Sequence, residues 1–153
     1  VKDRELGYVG SVVKIDLTVV ESLLRSGYIP VVAPVALSSA DKSGEGMKML
    51  NINADIVAGE IAAAIGAERL VFLTDVAGIC DPSGKLLPRL SPGEAEALLA
   101  SGVASGGMIP KIKACLGALA STAATSIIDG RQPHALLKEI EEGGRGTIIQ
   151  KAY

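Results

Sequence analysis

Asn51-Ile52-Asn53-Ala54-Asp55 leads directly into the Ala-rich apolar stretch Ile56 to Ile65, then Gly66, then Arg69-Leu70-Val71-Phe72-Leu73-Thr74. Each piece has its own period. Asn53 is a helix N-cap residue, and Asp55 falls in the first turn, where the helix dipole favours a carboxylate. Gly66 suits a left-handed C-terminal stop. Leu-Val-Phe-Leu at the centre of 69–74 is a continuous apolar run of strand length, the pattern of a strand covered on both faces. A capped helix feeding a buried strand is one turn of an α/β repeat. The two asparagines and the aspartate are also polar groups at fixed spacing on a helix N-terminus, so they can cap, hold a ligand, or do both.

Working outward, the alternation continues. Ser91-Pro92-Gly93-Glu94 is a capping box with proline at the first helical position, opening a helix that stops at Gly102. Gly106-Gly107 opens another helix through Lys111 to about Ala120. A strand follows at Thr125 to Ile128, a short helix from Pro133 to Glu141, and a last strand at Thr147 to Ile149. Upstream, Tyr8 to Ile15 reads as a strand or hairpin arm broken by Gly10. Asp16 caps a helix from Leu17 to Ser26 that Gly27 ends. Tyr28 to Ala33 is a short β-branched run with Pro30 inside it, which predicts an early or edge strand. Leu37 to Lys48 is a polar loop. Strands alternating with helices predict a three-layer αβα sandwich around a largely parallel sheet, as one domain over residues 1–153.

Composition narrows the class. Aromatic residues are 3% of the chain and tryptophan is absent, so the core is built from Ala, Val, Ile and Leu. Hydrophobic residues are 48%, which excludes disorder. A formal net charge of −2 gives no field that would draw nucleic acid or an anionic membrane. No apolar run reaches membrane-spanning length, and no basic-then-apolar leader is present. Cys80 and Cys115 have no metal or redox spacing, so the expectation is two reduced thiols in a cytoplasmic protein. Val1 rather than methionine opens the chain, which raises the expectation of a fragment or a processed product.

In open α/β sheets ligands bind where strands end and helices begin. Three loops qualify: the one entering Asn51 to Asp55; Thr74-Asp75-Val76-Ala77-Gly78-Ile79; and Ser105-Gly106-Gly107-Met108-Ile109-Pro110-Lys111. Neither GxxxxGK[ST] nor GxGxxG is present, so a nucleotide site here is of another kind. Gly106 and Gly107 allow conformations that turn N–H groups outward. Lys111 and Lys113 lie near a helix start, where the dipole disfavours a cation. A lysine there is accounted for by an anion between it and the helix end, or it is a solvated surface lysine. Asp75 either contacts a ligand hydroxyl, metal or base, or closes an Asx-turn toward Gly78. His134 has no identifiable nucleophile or carboxylate partner and reads as structural. Cys115 reads as core.

The same segments resemble the acetylglutamate kinases, members of the amino acid kinase family. The resemblance rests on Asn51-Ile52-Asn53-Ala54-Asp55, Leu73-Thr74-Asp75-Val76-Ala77-Gly78-Ile79 and Gly106-Gly107-Met108-Ile109-Pro110-Lys111. Leu6-Gly7-Tyr8-Val9-Gly10, Ile127-Ile128-Asp129-Gly130-Arg131, Pro133-His134-Ala135 and Gly146-Thr147-Ile148-Ile149 extend it along essentially the whole chain. The Thr-Asp-Val-x-Gly-Ile element marks the superfamily, whereas Asn-x-Asn-Ala-Asp with Gly-Gly-Met-Ile-Pro-Lys is far more specific. The resemblance is to the family's C-terminal half, the nucleotide-binding lobe.

That resemblance implies transfer of the γ-phosphoryl group of ATP to the side-chain carboxylate of N-acetyl-L-glutamate, in arginine biosynthesis, with Mg2+ held chiefly by phosphate oxygens and no metal site of the protein's own. It implies that Lys111 stabilises the transferring phosphoryl group and that Asp55 orients the lysines around it. Asn51 binds acetylglutamate and Asn53 supports that site. Asp75, Val76, Ala77, Gly78, Ile79 and Cys80 frame ATP together with Val103, Ala104 and Ser105, and Gly106, Gly107 and Met108 lie beside its phosphates. The family's second lysine, glycine-rich loops and substrate-binding arginine belong to an N-terminal lobe that this chain does not match. The intact protein is therefore expected to include that lobe and to be a homo-oligomer, and the isolated chain to be inactive. Two alternatives stay open: a carboxylate kinase for carrier-bound aminoadipate or glutamate, and a non-catalytic nucleotide-binding regulatory module. In the second, His134 and the turn from Glu142 to Gly146 would be effector-site pieces, or an ordinary helix end and turn.

Overall fold

The computed structural model describes residues 7–38 and 48–151. Leu6, and most of the polar loop expected between Leu37 and Lys48, lie outside the described residues. Helix α1 (Thr18–Arg25) is followed by a two-stranded antiparallel sheet, β1 (Val35–Leu37) with β2 (Met49–Asn51). Helix α2 (Ala54–Ile65) comes next, then β3 (Arg69–Thr74), β4 (Arg89–Leu90), α3 (Pro92–Ala100), α4 (Met108–Ala118), β5 (Ala124–Asp129), α5 (Ala135–Glu141) and β6 (Gly146–Gln150).

The main sheet has strand order β3-β5-β6-β4. Its β3–β5 and β4–β6 pairs are parallel and β5–β6 is antiparallel, so the sheet is mostly parallel but mixed. Strand alternation sends Leu70, Phe72, Ile127 and Ile149 to one face, where they pack with Ala62 of α2 and Ile112, Cys115 and Ala118 of α4. Ser126 points to the other face. Its hydroxyl donates to Oε1 of Glu139 at 2.8 Å, holding α5 against that side. Glu139 is fully buried, and its Oε2 accepts the Arg145 N–H at 3.1 Å, so this interior carboxylate is supplied with donors. Helices thus lie on both faces of the sheet, the αβα sandwich expected.

Local signals set the element ends. Asn53 Oδ1 accepts the Ile56 N–H at 3.2 Å, and Gly66 closes α2 at φ 63°. Ser91 and Glu94 exchange the two hydrogen bonds of a capping box at the start of α3.

Other expectations are corrected. Tyr8 to Ile15 is no strand: among the described residues only Val9 makes a bridge, to Asn51. Tyr28 to Ala33 is not a strand either; pairing begins further on, at Val35. Pro30 lacks an N–H, and among the described residues no neighbouring strand is brought alongside 28–33, so a strand-forming sequence remains unpaired. Asp16 lies one residue before the N-cap position, held by Leu17; it accepts the Thr18 N–H at 3.0 Å and the Thr18 hydroxyl at 2.6 Å. The two-residue β4 was too short to leave a period in the sequence.

Candidate functional site

The N-termini of α2 and α4 meet over the sheet, and the small residues between them make that possible. A Cβ built at Gly59 would lie 3.0 Å from both the Cβ and the carbonyl oxygen of Ala114, so the two helices touch backbone to backbone at that level. One turn earlier on each helix stand Asp55 and Lys111. The lysine Nζ lies 3.0 Å from each Asp55 carboxylate oxygen. The pair is partly buried, with side-chain exposures of 24% for Lys111 and 17% for Asp55. The same ammonium lies 6.0 Å from the Phe72 ring centroid, within range of a cation–π attraction. Both helices present their positive ends here. Asp55 gains from that field, and Lys111, in the first turns of α4, opposes it. The carboxylate offsets the mismatch, so the anion expected beside Lys111 is, in this structure, Asp55. A ligand phosphate would share the lysine with it.

Helix α4 opens without a side-chain cap. Its first turn is closed by Met108 N–H to the Ser105 carbonyl at 3.1 Å and Ile109 N–H to the Gly106 carbonyl at 3.3 Å. Gly106 adopts φ 53°, and among the described residues neither it nor Gly107 has another group within 4 Å of where a Cβ would stand. This end of the helix is bare and roomy enough for an anion to reach the backbone.

The loop after β3 is fastened at both ends. The Thr74 hydroxyl donates to the Val76 carbonyl at 2.8 Å and accepts the Val76 N–H at 3.2 Å, so threonine rather than Asp75 makes the turn. Further on, the Ile79 N–H donates to the Thr147 hydroxyl at 2.8 Å. Asp75, Val76 and Ala77 are exposed, whereas Gly78 and Ile79 are buried and Cys80 is half-buried. Likewise Ser105, Gly106 and Gly107 are exposed, Val103 and Met108 are half-buried, and Ala104 is buried in the core. Ile79 and Ala104 therefore shape these loops from beneath, and the exposed residues are the ones a ligand reaches.

Asn51 and Asn53 divide differently. Asn51 is exposed in β2, and its backbone pairs with Tyr8 and Gly10. Asn53 commits Oδ1 to the helix cap. Both stand within a few residues of Asp55. His134, exposed in a left-handed conformation at the start of α5, makes no cap hydrogen bond. Burial pushes the Cys115 thiol up to about 11, the Thr125 hydroxyl partly opposing this, which leaves an inert core thiol.

Sequence reasoning passed over four contributors. Thr74 and Thr147 look like ordinary strand threonines until their hydroxyls are seen holding the loop. Phe72 looks like plain core. At the end of β5, Arg131 forks onto Asp129 with two contacts of 2.9 Å. Those hydrogen bonds hold the Asp129 carboxyl far below the usual carboxylate range. Gly130 N–H donates to the Thr74 carbonyl at 2.8 Å, so this turn is docked on the loop after β3. The only signal for it was Asp-Gly-Arg after an apolar run.

Fold and site together define a mostly parallel αβα domain with a lysine–carboxylate pair between two helix N-termini. The family model described as the amino acid kinase family matches residues 1–129, and the chain belongs to that family. It is 52% identical over 150 residues to an acetylglutamate kinase of Nostoc sp., covering 94% of this chain and 48% of that protein. It is 45% identical over 149 residues to an acetylglutamate kinase of Dehalococcoides mccartyi, covering 97% of this chain and 55% of that one. The chain thus spans about half the length of the curated relatives it matches. Among solved structures, N-acetylglutamate synthase from Neisseria gonorrhoeae complexed with coenzyme A and L-arginine superposes with a TM-score of 0.83 at 30% identity, over 96% of this chain and 33% of that one. Carbamate kinase from Giardia lamblia bound to AMP-PNP superposes at 0.59 and 24% identity, over 73% of this chain and 37% of that chain, a likeness of fold.

Proposed function

We propose that this chain is the ATP-binding half of a carboxylate kinase that phosphorylates the side-chain carboxylate of N-acetyl-L-glutamate, a step of arginine biosynthesis. The observation that carries the proposal is the Lys111–Asp55 pair beside the open, glycine-lined start of α4. Its context is the identity to acetylglutamate kinases. ATP phosphates fit at Gly106 and Gly107, where no described side chain fills the space and the helix dipole attracts anions. Asp75, Val76 and Ala77 line the nucleotide further out, on a turn fixed by Thr74. Among the described residues no cluster of three acidic, histidine or cysteine side chains could cage a metal. Magnesium would then be bound chiefly by the phosphates, and it supplies neutralisation of their charge.

The chemistry asks little covalent work of the protein. An oxygen of the acceptor carboxylate, already ionised, forms a bond to the γ-phosphorus while the bond to the ADP oxygen breaks. An acyl phosphate and ADP result, and no proton needs to be moved. Lys111 would place positive charge on the phosphoryl oxygens as the bond order shifts. Asp55, gripping the same ammonium with both oxygens, would hold it in position. Asn51 and Asn53, at the mouth of α2, would meet the acetylglutamate.

Titration calorimetry of the chain with ADP and magnesium is the direct test, and weak binding is the expected result. A folded chain that gives no heat up to millimolar nucleotide would count against the proposal. In a full-length form, Lys111→Ala is expected to lower kcat by about 10²-fold or more with a smaller change in KM for ATP. A kcat within about twofold of the parent would leave Lys111 as a surface ion pair.

A second proposal, a regulatory module without catalysis, draws on the likeness to a synthase complexed with coenzyme A and L-arginine. Hydroxylamine trapping of acyl phosphate from a full-length form separates the two, since a nucleotide-binding regulatory module would bind ADP without turnover.

A further inference from the structure

The turn that leaves β5 is more heavily bonded than a connection needs to be. Strand pairing puts Asp129 directly opposite Thr74, so Asp129-Gly130-Arg131 runs beside Thr74-Asp75-Val76. The Asp129 carboxylate is filled from within the turn. Its Oδ1 accepts the Arg131 N–H at 3.0 Å and the Arg131 Nε–H at 2.9 Å. Its Oδ2 accepts from Arg131 Nη2 at 2.9 Å and, more loosely, from the Gln132 amide at 3.4 Å. Those bonds use up the acceptor sites of a carboxylate, so Asp129 has little to offer a ligand or a metal. Its side chain is 13% exposed, whereas that of Arg131 is 66% exposed. A side chain so exposed is ordinarily mobile, and here a planar fork holds it. The Asp129 hydrogen bonds, and at longer range the charge of Asp75, keep the guanidinium charged.

The turn also grips the loop after β3. Gly130 N–H donates to the Thr74 carbonyl at 2.8 Å, and the Thr74 hydroxyl lies 3.1 Å from the Ile128 carbonyl oxygen. A Cβ at Gly130 would stand 2.9 Å from the Leu73 Cβ, so the absence of a side chain lets the turn sit this close. Thr74 is in turn the residue whose hydroxyl closes the bend to Val76. The contacts thus run in series: the fork sets Gly130, Gly130 sets Thr74, and Thr74 sets Val76. Helices α2 and α4 return to β3 and β5 through short links, which puts their starts, with Asp55 and Lys111, at the same sheet edge as this turn.

We propose that Arg131, forked on Asp129, is a positioning residue for the nucleotide: it locks the turn after β5 against Thr74 and so holds Asp75, Val76 and Ala77 where the nucleotide meets them. The proposal rests on the reading of that loop as part of a nucleotide site. Arg131 acts on binding, and the charge on the transferring phosphoryl group is left to Lys111. A loop ordered beforehand costs less to fix when the nucleotide arrives.

The test compares Arg131→Gln and Arg131→Lys with the parent in a full-length form. Arg131→Gln is expected to raise KM for ATP about tenfold, with kcat and the KM for acetylglutamate within about threefold of the parent. Arg131→Lys keeps the charge and loses the fork, so its KM for ATP should lie nearer that of Arg131→Gln than that of the parent. Added to Thr74→Val, Arg131→Gln should raise KM for ATP by less than about twofold more, since both act along one series of contacts. A KM for ATP within about twofold of the parent in Arg131→Gln overturns the proposal. So does full recovery by Arg131→Lys, which would make charge and not the fork the agent. An equal rise in the KM for acetylglutamate also overturns it, because the loss would then be a general one. ADP titration separates the two levels of inference. A parent that binds no ADP sinks the nucleotide reading and this proposal with it. A parent that binds ADP beside an Arg131→Gln form of equal affinity sinks only the role of Arg131.

Discussion

Ile127 and Val31 are both β-branched residues in apolar runs, and they end in opposite states: Ile127 is wholly buried and Val31 is 96% exposed. The contrast holds for the regions around them. From Met49 onward, strands find partners, helices find a sheet, and the loop after β3 is pinned by Thr74 and Thr147. From Gly7 to Ser38, a well-formed helix and a strand-forming run have nothing among the described residues to bury them. Composition does not distinguish the two. Burial needs a second surface, and the first region has one within this chain while the other does not. The completed region also holds the groups proposed to handle nucleotide, and the bare one faces the proposed acceptor side.

The largest expected effect tests whether that division reaches function. The 153-residue chain alone should show no acetylglutamate-dependent ADP release and no acyl phosphate trapped by hydroxylamine. Without a lobe to position the acceptor, about 7–11 kcal/mol of barrier reduction is lost. A missing second cation adds roughly 3–4 kcal/mol. Turnover at an ordinary enzymatic rate, from material of verified mass, would mean that the bare region completes an active site by itself or through another copy.

A smaller effect probes the completed region. Ile127→Ala removes a side chain packed between β3, β6 and α4, and should cost about 2–5 kcal/mol, read from the denaturant midpoint. A loss under about 1 kcal/mol would mean that the sheet is as loosely covered as the segment from Gly7 to Ser38, and the contrast would fail.

The sequence made the completed region legible because its signals are local and mutually supporting. Asn53 with Gly66, and Ser91 with Glu94, bound their helices where expected, and Leu70 to Leu73 announced a buried strand. The pairing of Asp55 with Lys111 was not legible from spacing, since the two are far apart in the chain; only the family resemblance joined them. The structure adds the reason, the close passage of Gly59 against Ala114 one turn away. The antiparallel entry of β6 left no mark, because a strand's own residues do not encode its neighbour's direction. Tyr28 to Ala33 shows the opposite failure. Its propensity was read as a strand, and propensity without a partner does not make one.

That segment gives the smallest expected effect and the sharpest discrimination. Val31→Thr keeps the β-branched shape and adds a hydroxyl. In the chain alone the side chain is already in water, so the hydroxyl is solvated in both the folded and the unfolded state. The denaturant midpoint should move by no more than about 0.5 kcal/mol. In the fusion with the unmatched part of the Nostoc protein the same hydroxyl would be buried among aliphatic groups, and an unpaired hydroxyl there costs about 1–3 kcal/mol. The informative quantity is thus the difference between two measurements of one substitution, which cancels any effect on the unfolded chain. Equal, near-zero shifts in both proteins would show that Val31 stays in water even when the second lobe is present. A shift of about 1 kcal/mol or more in the chain alone would show that the region from Gly7 to Ser38 already packs against something, and the two halves of the comparison would no longer differ.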